Sequence, residues 1–183
     1  MSLIQKLKAR AANNNPVRVG IIGAGKFGSM YLSQAPRTVG IHLVAVADLS
    51  PARAKEALAR VGWDEARYNA TSLQDAAKSG ATFVTDDAEK MIASEHIDIV
   101  IDSTGSPAAG IRHALLCFDH RKHIIMVNVE ADVLAGPLLS RKAAQAGVIY
   151  SMASGDQPAL IAELVDWART IGLEVVCAGK GTK

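Results

Sequence analysis

The stretch VGIIGAGKFGSMYL, residues 19–32, contains the most specific structural signal in this chain. It places Gly23, Gly25 and Gly28 at the spacing G-x-G-x-x-G, directly after an apolar run and at the start of a helix-length segment. In such a pattern the glycines permit a tight turn and close packing of a helix on a strand. The stretch therefore predicts a strand, a turn and a helix, and the rest of the chain must supply the sheet.

Strand-length apolar runs recur along the chain, with helix-length segments between most of them. They occupy residues 17–22, 41–47, 82–85, 97–102, 123–127, 147–150 and 173–178. Helix start signals follow several runs, among them Ser50-Pro51, Asp86-Asp87 and Ser106-Pro107. Alternating strands and helices predict an α/β, doubly wound parallel sheet of Rossmann type, with strand order 3-2-1-4-5-6 and one further strand at an edge.

Length and composition fit one main domain with a short N-terminal appendage. The 183 residues are 49% hydrophobic but only 4% aromatic, which suits an aliphatic core between parallel strands and helices. Residues 1–15 predict an amphipathic helix, docked on its own domain or on a neighbouring subunit, which ends before Pro16. We expect residues 16–178 to form the main domain and 179–183 to begin a substrate or dimerisation domain.

Charge and cysteine content limit the kinds of partner and cellular compartment that the sequence predicts. The chain has 20 basic and 18 acidic residues, so its net charge of +2 predicts neither nucleic acid nor a membrane as a partner. We interpret the basic run at 120–123 as a solvated loop. Cys117 and Cys177 lie in apolar runs and predict buried, reduced thiols in a cytoplasmic protein, and no Cys or His spacing predicts a metal site.

An acidic residue at the right distance from the glycines points to a dinucleotide site. Asp48 lies 20 residues after Gly28, at the end of the second predicted strand. A carboxylate there can accept the hydroxyls of an adenosine ribose, while the helix N-terminus takes the pyrophosphate. Lys26 and Phe27, inside the glycine turn, are counted with this site. Two alternatives stay open, a turn that binds nothing with Asp48 as a helix cap, and an S-adenosylmethionine site; the third glycine favours the dinucleotide.

The choice between NAD and NADP depends on the charge beside the ribose. Asp48 favours NAD because its charge opposes a 2′-phosphate. Arg53 and Lys26 are close enough in sequence to bind such a phosphate, so NADP remains an alternative. Small residues after the fourth strand predict the crevice wall toward the nicotinamide, or else a plain helix-entry turn: Ser103, Thr104 and Gly105.

Two longer phrases in the second half of the chain carry a resemblance. RKHIIMVNVEADVLAGPLLSRKAAQAGV (121–148) and YSMASGDQPALIAELVDWA (150–168) resemble the homoserine-dehydrogenase-like oxidoreductases, and the likeness spans most of residues 17–183. More narrowly, the phrases are similar to the predicted homoserine dehydrogenases that often carry a later SAF domain, and to the DXR-like enzymes that reduce and isomerise 1-deoxyxylulose 5-phosphate with NADPH. This resemblance implies a small-molecule substrate and a homo-oligomer when the protein is full length.

The resemblance also implies roles for individual residues. Asn128 matches the Asn that ends a strand in these enzymes, but Glu130 and the preceding Val stand where homoserine dehydrogenases usually have Lys, which argues against homoserine as the substrate. Glu130 is a candidate acid or base, or simply a first-turn acid on a helix. Asp156 and Gln157 either face the substrate or cap a helix. Lys180 is a candidate proton donor, or a solvated lysine.

Two functions are compatible with these residues. The first is the cofactor-binding domain of an NAD(P)-dependent oxidoreductase that acts on a small hydroxylated or phosphorylated metabolite. Such a domain holds mainly the cofactor half of an enzyme, so we expect the chain to be inactive alone. The alternative is a non-catalytic module that senses dinucleotides.

Overall fold

A six-stranded sheet in which all strands run parallel organises the chain. The computed structural model describes residues 2–155 and 157–179, without the side chains of residues 157 and 158. The strands are β1 (Val17–Ile22), β2 (Ile41–Ala47), β3 (Phe83–Thr85), β4 (Ile99–Asp102), β5 (His123–Met126) and β6 (Tyr150–Met152). Their order, β3-β2-β1-β4-β5-β6, confirms the predicted doubly wound topology.

Helices cover both faces of this sheet. They are α1 (Leu3–Ala12), α2 (Lys26–Gln34), α3 (Pro51–Arg60), α4 (Leu73–Ser79), α5 (Ala88–Ala93), α6 (Pro107–Asp119), α7 (Val129–Ala146) and α8 (Gln157–Thr170). On one face, Leu32 of α2 and Leu58 of α3 pack against strand residues such as Ile21. On the other, α4 to α7 pack on strand residues such as Val100. Because all six strands run parallel, their carboxyl ends lie at the same edge of the sheet.

The predicted helix start signals act as side-chain caps. The Ser50 and Ser106 hydroxyls accept hydrogen bonds from backbone N–H groups in the first turns of α3 and α6, and each is followed by proline at the first helical position. Asp87 caps α5 in the same way. These caps fix where each strand-to-helix loop ends, at the sheet edge that carries the site.

The N-terminal helix is docked on its own domain through backbone contact. Gly40, just before β2, has φ +79°, and a Cβ there would collide with the carbonyl group of Leu7 in α1. Leu3 and Ile4 remain 73% and 50% exposed, so the apolar side of α1 is only partly covered. Within the described residues, no helix is long and apolar enough to cross a membrane.

Three expectations from the sequence are wrong. The run at 147–150 becomes a strand only from Tyr150, because Gly147 ends α7 with φ +69° and breaks the extended backbone. The run at 173–178 forms no strand, since no described strand lies beside it to complete its hydrogen bonds, and Val176 is 88% exposed. Cys177, within that run, is therefore exposed, whereas Cys117 in α6 is buried as expected.

Candidate functional site

The glycine turn after β1 uses its three glycines for different purposes. Gly23 has φ +95°, and a Cβ on it would lie 3.0 Å from the Ser103 carbonyl oxygen. A Cβ on Gly28 would run into the Gly23 carbonyl oxygen, so these two glycines are required by packing within the turn. Gly25 has no described atom within 4 Å of its Cβ position and adopts an ordinary extended φ of −68°. Its missing side chain leaves open space above the start of α2.

The N-terminus of α2 lacks the side-chain cap that the structure describes at five other helices. Side chains cap five helices, through Ser50, Ser72, Asp87, Ser106 and Asn128. At α2 the capping position is Gly25, and no side-chain oxygen accepts from the first-turn N–H groups. Uncapped N–H groups at a helix start, together with the helix dipole, favour an anion such as a pyrophosphate.

Asp48 lies at the end of β2 and is tied to the glycine turn. Its Oδ2 accepts a hydrogen bond from the Ala24 N–H at 2.9 Å, and its Oδ1 accepts one from the Ser50 N–H at 2.9 Å. The cap of α3 is Ser50, so capping does not explain the acid at position 48. Each carboxylate oxygen has two lone pairs, which leaves one on each oxygen for the hydroxyls of a ribose.

One cavity of about 710 Å³ joins these groups at the carboxyl edge of the sheet. This volume is in the range of pockets that bind cofactors and other small molecules. Its wall contains seven of the predicted site residues: Gly23, Gly25, Asp48, Arg53, Ser103, Thr104 and Gly105. It also contains residues that sequence reasoning missed: Leu49, Asp86, Asp87, Ala88, Glu89, Ser106, Ala109, Arg112 and His113.

A polar network beneath the cavity holds the loop after β4 in place. The Ser103 hydroxyl lies 2.7 Å from the Gly23 carbonyl oxygen and so ties this loop to the glycine turn. Asn128 is 1% exposed, and its Nδ2 donates to Thr104 Oγ1 and to the Ser106 carbonyl oxygen. Asn128 thus supports the cavity from behind its wall, and direct contact with a cofactor stays a prediction.

A buried carboxylate and imidazole complete the network. Asp102 at the end of β4 is 0% exposed, and its Oδ2 lies 2.6 Å from Nδ1 of His113, which is 5% exposed. The sequence held one signal for this pair, because both residues are polar and occur within apolar runs at positions that face the core. Isolated polar residues of this kind give no indication of their partner.

The other predicted site residues that the structure describes lie outside the cavity wall. Lys26 and Phe27 are exposed on the first turn of α2. Glu130 is exposed in the first turn of α7, where an acid complements the helix dipole. Asp156, the side chain of Gln157 and Lys180 lie outside the described residues. No metal-binding cluster of His, Cys, Asp or Glu occurs in the described part of the chain.

Comparison with known proteins identifies the family of the chain. Residues 17–127, more than half of the chain, match the GFO/IDH/MocA family, described as an oxidoreductase family with an NAD-binding Rossmann fold. The chain belongs to the GFO/IDH/MocA family. It is an NAD-binding oxidoreductase domain of that family, and the glycine turn, Asp48 and the cavity lie within the matched residues. Residues 155–183 match a further family, described as the catalytic domain of oxidoreductase DRL.

Solved structures agree with the GFO/IDH/MocA fold. An NAD-binding oxidoreductase from Klebsiella pneumoniae has 19% identity and a TM-score of 0.57 over 86% of this chain and 39% of that chain. A homoserine dehydrogenase from Thiobacillus denitrificans has 18% identity and a TM-score of 0.59 over 75% and 29%. A scyllo-inositol dehydrogenase from Lactobacillus casei, with bound NAD(H) and scyllo-inositol, has 16% identity and a TM-score of 0.54 over 84% and 42%.

The GFO/IDH/MocA chain described here is much shorter than these structures, since it spans only 29% to 42% of their lengths. No protein with a curated description matches the sequence. At such low identities the structures establish the fold alone.

Proposed function

We propose that the domain binds NAD in the cavity beside Gly25 and Asp48 and serves hydride transfer to or from a small hydroxylated or phosphorylated metabolite. The observation that carries this proposal is the meeting of an uncapped helix N-terminus and a carboxylate in one cavity. The helix N-terminus fits a pyrophosphate, and the two spare lone pairs of Asp48 fit the ribose hydroxyls. NAD supplies the hydride chemistry, and the residues of this chain hold and orient it.

We expect the cofactor to be NAD rather than NADP. Asp48 is half-buried in the cavity wall, so a 2′-phosphate would meet a fixed negative charge. Arg53 also lines the cavity and is the cation that would serve a phosphate if the carboxylate turned away. The Asp48 carboxylate is held by two backbone N–H groups, which opposes that movement.

Calorimetric titration of the chain with NADH, NADPH and S-adenosylmethionine tests the proposal. We expect NADH to bind most tightly, and Asp48→Ala to weaken NADH more than NADPH. The substitution also releases the Ala24 N–H, so the readout is the ratio of the two affinities, in which damage to the shared turn cancels. Absence of NADH binding would overturn the proposed function, and NADPH at least tenfold tighter, about 1.4 kcal/mol, would overturn the role of Asp48.

The resemblance noted in the sequence suggests more specific chemistry. It includes enzymes that act on homoserine and on 1-deoxyxylulose 5-phosphate, and a sugar phosphate fits the proposed substrate class. Glu130 and Lys180 remain candidates for proton transfer, and Asp156 and Gln157 for contact with the substrate. A homo-oligomeric full-length protein and a cytoplasmic location belong to the same proposal.

The match of residues 155–183 to a catalytic domain favours an enzyme over a dinucleotide sensor. We expect the chain of 183 residues to bind cofactor without turnover, because it covers only 39% and 42% of two solved structures of this fold. Orientation of a reactant contributes about 7–11 kcal/mol to catalysis, and the surface that supplies it would lie elsewhere. The test is a steady-state assay of this chain and of any longer parent protein with the same aldehydes, hydroxy acids and sugar phosphates. Turnover by this chain equal to that of the parent would refute the expected inactivity.

A further inference from the structure

His113 is a buried titratable residue in the cavity wall. The proposed binding of NAD by the glycine turn and Asp48 gives it no role. It lies in the second turn of α6, and only 5% of the residue is exposed. Its Nδ1 lies 2.6 Å from the Oδ2 of Asp102. No group among residues 2–155 and 157–179 forms a hydrogen bond with its Nε2.

The environment of Asp102 sets the proton on the imidazole. Its Oδ1 accepts hydrogen bonds from the Thr104 N–H at 3.0 Å and the Thr104 hydroxyl at 2.7 Å. Its Oδ2 then needs a donor, and His113 Nδ1 is in place to supply it. In a neutral imidazole with a proton on Nδ1, the Nε2 is an acceptor. His113 Nε2 is not among the fully buried polar atoms that lack a partner in the described residues, so it opens to the cavity, where a donor of a ligand can reach it.

The position of His113 within the cavity selects the part of the cofactor that it meets. The pyrophosphate is assigned to the start of α2 and the ribose to Asp48. The rest of the wall includes the start of α5, the loop after β4, Leu49 and Arg53 after β2, and Ala109, Arg112 and His113 of α6. This part of the cavity is left for the base that the ribose carries.

We propose that His113 Nε2 accepts a hydrogen bond from the exocyclic amino group of adenine and makes the site selective for an adenine base. This inference rests on the proposed binding of NAD in the same cavity. Adenine presents a donor at this position, whereas hypoxanthine presents a carbonyl oxygen. An acceptor of the protein would then face an acceptor of the base, and neither would be satisfied.

Calorimetry with NADH and with reduced nicotinamide hypoxanthine dinucleotide tests this selectivity directly. We expect the wild-type chain to bind NADH about tenfold more tightly than the hypoxanthine analogue, as one lost hydrogen bond predicts. His113→Phe keeps the ring but removes the acceptor, and should reduce the preference to less than twofold. His120→Phe, at the exposed C-terminal end of the same helix, is the matched control and should keep the tenfold preference.

Each outcome bears on the inference separately from the proposed function. Equal binding of the two cofactors by the wild-type chain would overturn the role of His113 while leaving NAD binding intact. A preference for the hypoxanthine analogue would indicate a donor at Nε2 and would also overturn it. If His113→Phe fails to fold, because Asp102 loses its partner, the wild-type comparison still decides. Absence of binding by either cofactor would overturn the proposed function itself.

Discussion

Replacement of Gly25 by alanine separates binding from folding in this domain. The added methyl group meets no described atom within 4 Å, and the residue already has φ −68°. Loss of glycine's freedom in the unfolded chain stabilises by about 0.4–1 kcal/mol, which offsets a similar cost of alanine at a helix cap. We therefore expect the melting temperature to change by less than about 3 °C.

The same methyl group lies where a pyrophosphate would approach α2. We expect Gly25→Ala to weaken NADH binding at least tenfold, about 1.4 kcal/mol, as measured by calorimetry. Gly28→Ala is the contrasting variant, because its methyl group would collide with the Gly23 carbonyl oxygen inside the turn. Overpacking of this kind costs about 1–3 kcal/mol, so its melting temperature should fall by several degrees.

The two variants together make the reasoning refutable. If Gly25→Ala folds normally and binds NADH within twofold of the wild-type affinity, the cofactor does not pass over α2. A large loss of stability in Gly25→Ala would instead show that the space above the glycine turn is not open to an added methyl group.

Two further predictions concern the stability of the fold and the reactivity of its thiols. Burial opposes ionisation of the Asp98 carboxyl group, but hydrogen bonds from Arg18 outweigh this effect and hold the pKa of Asp98 below its usual value. The ion pair therefore stabilises the folded chain fully at pH values above the usual pKa of Asp. This stabilisation is lost as the pH falls through the lowered pKa. In thermal melts, Asp98→Asn should therefore lower the free energy of unfolding by about 1 kcal/mol at pH 7 and leave it unchanged in strong acid. The control is Glu89→Gln, which removes an exposed ion pair of 3.7 Å with Arg112 and should cost little at either pH. An equal loss of stability in Asp98→Asn at all pH values would contradict the pairing. Burial raises the pKa of the Cys117 thiol to about 12, so a disulfide reagent at pH 8 should modify only the exposed Cys177 rapidly, and Cys177→Ser should abolish the fast phase; rapid reaction in that variant would show that α6 is not packed as described.

Most of the fold could be predicted because its signals are local. The apolar runs that became β1, β2 and β4 have the length and β-branched content of buried strands, and serine-proline pairs mark the starts of α3 and α6. Parallel topology then follows from the alternation of strand and helix. The run at 173–178 has the same local signal but lacks a neighbouring strand, and a sequence pattern cannot supply one.

The candidate site was predictable in part for a similar reason. The glycines and Asp48 form a pattern with fixed spacing, so their meeting in one cavity could be expected. The Asp102–His113 pair joins the end of a strand to a helix, and its geometry depends on how α6 packs on the sheet. Glu130 was predicted from a sequence match alone; the structure leaves it exposed on α7 outside the cavity wall, so its part in proton transfer stays a prediction.

The uncapped start of α2 makes amide hydrogen exchange informative at single residues. The Ala24 N–H is held by Asp48 even without a ligand, so its exchange should be slow in the free domain. The N–H groups of Lys26 and Phe27, in the first turn of α2, have no capping side chain and should exchange with solvent far faster. A pyrophosphate bound at this helix would slow those two amides while leaving Ala24 nearly unchanged. Neighbouring amides in a single turn thus provide both the reporter of an occupied cavity and its internal reference.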